Sequence, residues 1–153
     1  MNSSDKEEKS IIVIDACAIE PLIKSKEFLE NFLKNKYILV FGKRVQMREY
    51  SDRLRALKQE GKERIVRAFI RLMRSAYTFI DEESNENYFT FEFLGVEPKV
   101  KDIHLFRIAK KGALLLEKDY AKIITVARDV LRVKKAINGR NIAVYVEDAT
   151  NYH

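Results

Sequence analysis

Cysteine is almost missing from this chain. The single Cys17 can build neither a disulfide framework nor a cysteine-rich zinc site. Histidine is nearly as scarce, and two such residues in 153 argue against a histidine metal cage. The five glycines include no glycine-rich phosphate loop, which disfavours nucleotide-driven chemistry. Apolar runs reach about five residues, far short of a membrane-spanning helix. The opening MNSSDKEEKS has no apolar h-region and no cleavage site, so no secretory leader is expected. No internal repeat, linker or long single-sign charge block is visible. The expectation is one cytoplasmic globular domain over residues 11–153, behind a polar tail at 1–10, with no membrane partner.

Hydrophobic residues make up 46% of the chain and charged residues 34%, enough apolar material for a core without staples. Lys and Arg number 29 against 23 acids, a formal charge of +6 that suits polyanionic partners such as nucleic acid. The excess is local: residues 44–78 hold ten basic side chains against four acidic ones. Arg64, Arg67, Arg71 and Arg74 fall on one helical face, either a nucleic-acid contact or a solvated stripe. Tyr50 and Tyr120 are the tyrosines placed to stack on bases, since each adjoins a candidate acid.

Four segments read as buried strands: Ile11–Ile14, Tyr37–Phe41, Ala113–Leu116 and residues 141–146. Helices are expected near Ala18, perturbed by Pro21, and over 24–36. A longer helical stretch covers 43–78 with a break near Gly61, and two more cover 103–111 and 120–137. Asp102 would cap the helix that follows it, and Gly112 would stop that helix. The aromatic segment 88–96 suggests an arm or an extra pair of strands. Strands alternating with helices predict an α/β domain with a mainly parallel sheet.

In such sheets the functional cleft lies beyond the carboxyl ends of the strands. Asp15 ends a wholly apolar run, where a bare charge is expensive. Glu49, Asp102 and Asp119 also lie near predicted strand ends. Clustered carboxylates repel one another unless a hard cation such as Mg²⁺ or Mn²⁺ joins them. Such a site can activate water for attack on a phosphodiester, while basic side chains hold the flanking phosphates. Each acid also has a plainer reading as a cap or surface residue. Cys17 as a nucleophile would need a base, and His104 has no evident triad partner. Cys17 therefore reads as buried and inert, and His104 as a helix-packing residue.

The pattern resembles the PIN-domain nucleases, most closely the small prokaryotic VapC-type toxins. IIVIDACAIEPLI is similar to the first strand and first metal-binding acid, Asp15. VQMREYSDRL is similar to the helix carrying the second, Glu49. KDIHLFRIAKKGALLLEKDYAKI is similar to the segment with the third and fourth, Asp102 and Asp119. The likeness runs from about Ile11 to Val146. It implies a three-layer α/β/α fold and Mg²⁺- or Mn²⁺-dependent cleavage of RNA, less often DNA. It also implies homodimers and, for toxin members, an antitoxin partner. The chain departs from the family pattern in three places. Cys17 replaces a small hydroxyl or amide residue two positions after the first acid. Glu117 stands where a Thr or Ser precedes the last acid, as a further ligand or a disruption. No additional acid follows Asp119.

Two readings follow, a metal-dependent endoribonuclease or a catalytically degenerate PIN-like module that binds RNA or a protein. A phosphoryl-transfer enzyme with an Asp nucleophile ranks third, because Cys17 occupies the second Asp position of a DxD pair.

Overall fold

The computed structural model describes residues 9–82, 91–138 and 141–153. The segment 83–90, which includes Tyr88, lies outside the described residues, as do most of the polar tail and Gly139. The chain forms β1 (Ser10–Ile14), α1 (Ile19–Lys24), α2 (Lys26–Leu33), β2 (Tyr37–Gly42), α3 (Val45–Gln59) and α4 (Glu63–Met73). It continues through β3 (Thr78–Ile80), β4 (Phe91–Gly95), α5 (Ile103–Leu115), β5 (Tyr120–Thr125), α6 (Arg128–Leu131), β6 (Val133–Asn138) and β7 (Ala143–Asp148).

These strands make one seven-stranded sheet in the order β3-β2-β1-β5-β7-β6-β4. The first five are parallel, and β6 and β4 join antiparallel. The fold is three-layer α/β/α, as expected. Alternation along β1 divides the core: Ile11 and Val13 face α5, while Ile12 and Ile14 face α1–α4. On one side Leu105, Phe106, Ile108 and Ala109 of α5 fill the layer. On the other, Leu22, Phe28, Tyr50 and Phe69 do so. Strand β1 is central and buried on both faces, which is why its sequence is an unbroken β-branched run.

Several local expectations need correction. Residues 113–116 are not a strand, because α5 runs straight through Gly112 to Leu115. A Cβ at Gly112 would sit 3.1 and 3.2 Å from the methyls of Val40, so this glycine lets the helix approach β2 and does not stop it. Residues 120–137 are not one helix but β5, α6 and β6. Ala121 and Ile123 face one core while Ile124 faces the other, a period of two that pairing with β1 and β7 enforces. The helix expected over 24–36 begins at Lys26, where the Ser25 hydroxyl caps it by accepting from Phe28 N at 3.0 Å. Strand β3 went unanticipated, and the last strand lies at Ala143–Asp148. The break near Gly61 is present, with φ at +79°. Strand β4 realises part of the aromatic arm, pairing antiparallel with β6.

Candidate functional site

Asp15 follows β1 directly and is buried at the carboxyl edge of the parallel strands. Its backbone N–H donates to the Ile124 carbonyl at 2.9 Å, which binds it to β5. The Thr125 hydroxyl, at the end of β5, donates to Asp15 Oδ2 at 2.8 Å. The Cys17 thiol lies 3.4 Å from the same oxygen and 3.3 Å from Thr125 Oγ1. Burial, then the charge of Asp15, raises the Cys17 pKa, so the group stays a thiol and donates. Cys17 is half-buried and not fully buried as expected; it fills a hydroxyl's role beside the carboxylate, and the raised pKa disfavours the thiolate that a nucleophile needs.

Helix α3 is locked to the same edge. The Ile14 carbonyl accepts from Gln46 Nε2 at 3.0 Å and from the Tyr50 hydroxyl. The buried Glu82 carboxylate accepts the N–H groups of Arg44 at 2.8 Å and Gln46 at 3.2 Å, capping the start of the helix. A side chain at Gly42 would overlap this carboxylate and Ile108, so glycine there leaves room for Glu82 to reach the helix start. Glu49, one turn into α3, then meets α5: its Oε1 lies 2.8 Å from His104 Nε2. The other ring nitrogen, Nδ1, lies 2.9 Å from the Lys101 carbonyl. Both nitrogens face acceptors, an arrangement that an imidazolium satisfies in full. Burial lowers the His104 pKa, but the Glu49 hydrogen bond and charge outweigh it and the net shift is upward.

Asp102 stands at the start of α5, half-buried. It makes no capping hydrogen bond and no ion pair among the described residues, contrary to the expected cap. Burial first and Asp15 second raise its pKa; the charges of Lys101 and His104 oppose the shift without cancelling it, and Glu49 adds to it. Asp15, Glu49 and Asp102 are therefore brought within one electrostatic neighbourhood. Exposed Lys101 lies next to Asp102 in the chain, and Lys99 pairs with Asp129 at 2.8 Å.

The remaining candidates lie elsewhere. Asp119 precedes β5 and Asp15 follows β1; because these strands are parallel, Asp119 sits at the opposite sheet edge. There it lines a pocket of about 510 Å³ with Tyr120, Lys135 and Tyr145. Glu117 is exposed in the turn after α5, at a left-handed φ of +54°, and is separated from Asp15 in the same way. Tyr50 is buried in the core and edge-on to Phe69, so it cannot stack on a base. Tyr120 is half-buried, near Ser10 and edge-on to Tyr145 at 6.2 Å, away from the acids. Arg64, Arg67 and Arg71 are exposed on α4, with exposed Arg74 at its C-cap and Arg67 paired to Glu63 at 3.1 Å.

Thr125 and Gln46 were missed as site residues, and His104, read as a packing residue or a group orienting a water beside Asp102, was not paired with Glu49. An Ile-Ile-Thr-Val run was the available signal for Thr125, since it reads as a strand ending in a hydroxyl. Among the described residues no group of three His, Cys, Asp or Glu side chains is placed to hold one metal ion. Two carboxylates remain, Asp15 and the unpaired Asp102. Two carboxylates are as many as Mg²⁺ or Mn²⁺ commonly take from a protein, the rest of the shell being water and phosphate. No family model, curated protein or solved structure matches the chain.

Proposed function

We propose that this chain is a Mg²⁺- or Mn²⁺-dependent endoribonuclease of PIN-like type. Asp15 and Asp102 hold the cation, with Glu49 beside them. One observation carries the reading: a half-buried carboxyl, Asp102, feels the charge of Asp15 and makes no hydrogen bond or ion pair among the described residues, with Lys101 and His104 offsetting only part of the shift. Folding gains nothing from that repulsion, whereas cation binding removes it. A bound divalent ion would supply polarisation of a phosphodiester oxygen and acidification of a water. Within the chain, Thr125 and Cys17 orient the Asp15 carboxylate through its Oδ2. His104 positions Glu49 and balances part of the negative charge. In this reading the chain pairs as a homodimer, and in a toxin role an antitoxin segment would cover the acids.

Calorimetric titration of Mn²⁺ into the wild type and into Asp15→Asn tests it, together with RNA cleavage by both. The expected result is binding and cleavage in the wild type and neither in the variant. Equal cleavage by Asp15→Asn rejects the mechanism.

A second reading, the degenerate binding module, has its own support. The resemblance expects a Thr or Ser two positions before the last acid. Thr125 ends the strand after α5, and two positions on stands Ala127. In addition, Glu49 is already engaged by His104. If this edge has lost an acid, Ala127→Asp should raise Mn²⁺ affinity about tenfold, the ~1.4 kcal/mol of one added carboxylate contact. Unchanged affinity in the same calorimetric assay would remove Ala127 from the argument.

A further inference from the structure

The acids occupy only part of the carboxyl edge. The neighbouring strand β2 ends beside β1, and the chain leaves it through Lys43 and Arg44 before turning into α3. Adjacent strands lie about 4.8 Å apart, so these cations emerge next to Asp15 on the same edge. Helix α3 then carries Arg48, directly before Glu49, and Arg55 two turns further on. Together with Met47 and Ser51, these four basic residues line a groove of about 650 Å³. All four are exposed.

We infer that this groove on α3 is the track for the RNA phosphate chain leading to the acids. The inference rests on the proposed RNA-directed function and assigns the contacts that reading leaves open. Charge complementarity is the first argument. Among the described residues four cations line the groove against one acid, Asp52. Arg55 meets Asp52 at 3.6 Å and Arg44 meets Asp81 at 3.2 Å. Surface pairs of this kind contribute about 0–1 kcal/mol, so a phosphate can compete for the guanidiniums. Spacing is the second argument. Arg48 and Arg55 are about 10 Å apart along the helix axis on one face, so the cations are strung along α3 and not gathered at one point. The third is the make-up of the lining: among the described residues no aromatic ring lines the groove, so they offer cations and no surface for base stacking. It therefore reads the backbone and not the bases. The arginines of α4 lie on a different helix, outside this groove.

Binding of labelled single-stranded RNA to the full chain tests the inference. Asp15→Asn serves as the parent so that cleavage cannot interfere. Arg48→Gln with Arg55→Gln should lower affinity about tenfold and reduce the salt slope by about 1.4, two phosphate contacts' worth. Arg64→Gln with Arg67→Gln removes the same charge from α4 and should leave affinity within twofold. RNAs of different base composition should lose affinity alike. Equal losses from both double variants, no loss from the first, or no RNA binding by the parent would each overturn the inference. So would a loss confined to one base composition. Cleavage by the wild type is scored separately. Cleavage absent with groove-dependent binding intact rejects the nuclease and keeps the groove, and the converse rejects the groove alone.

Discussion

His104 shows how a single side chain can be misjudged from its neighbours in sequence. Its decisive partner, Glu49, is 55 positions away and reaches it only when α3 and α5 pack. Asp15 was legible for the opposite reason: a charge that ends an apolar run is conspicuous without any partner. The Glu49–His104 pair also sets a pH dependence. The His104 pKa is raised above its ordinary value. A group shifted this way stabilises the fold fully below the unfolded value of about 6.5, and that stabilisation is lost as pH rises through the folded value. His104→Ala should therefore cost about 2 kcal/mol at pH 6, the scale of a charged hydrogen bond, and less at pH 9. Urea denaturation at the two pH values measures this, and an equal cost at both would show that the ring acts by packing alone.

Elements were read correctly where periodicity was unambiguous and incorrectly where a short apolar run suits two geometries. The ALLL of residues 113–116 fits a strand as well as a helix, and only the close packing of α5 on β2 decides it. Residues 120–137 show helical spacing at Ile123, Ala127 and Val130, but β1 and β7 each offer a strand-length partner. Edge and core pairing outweighed local preference there. That error moved the predicted strand end from Thr125 to Leu116, and with it the fourth acid to Asp119. Gly112 belongs to the same scale. Gly112→Ala gains about 1 kcal/mol of helix propensity but drives a methyl against buried Val40, whose branched side chain is restricted at χ1. Overpacking of this kind costs about 1–3 kcal/mol, so a net loss near 1 kcal/mol is expected in chemical denaturation. A more stable variant would mean that α5 can move off β2 freely.

Across the whole molecule, the helical layer over β1 and β2 is joined at its outer rim by Glu20. From α1 its carboxylate meets Lys24 at 2.9 Å, Lys62 at 2.8 Å and Arg53 at 3.5 Å, tying α1 to the α3–α4 hairpin. The hydrogen bonds from Lys62 and Lys24 hold its pKa down to about 2. A carboxyl depressed in the fold stabilises it above the unfolded value, and that stabilisation is lost as pH falls toward about 2. Solvent screening keeps the effect small. Glu20→Gln should lower the melting temperature by about 2 °C at neutral pH and by progressively less in acid. A difference that persists unchanged at low pH would assign it to something other than charge.

Sequence alone determined the α/β class, the burial of β1 on both faces, the break at Gly61 and the position of Asp15 at the end of that strand. Each depends on residues adjacent in the chain or on a local periodicity. Tertiary structure decided which acids share an edge, because parallel pairing separates Asp119 from Asp15 by the length of β5 while bringing Thr125 to within 2.8 Å. It also decided that Tyr50 serves the core and that His104 serves Glu49, since burial and hydrogen-bond partners arise from contacts between distant segments. Hydrophobic pattern is written along the chain, whereas the convergence of polar groups exists only once the layers have packed.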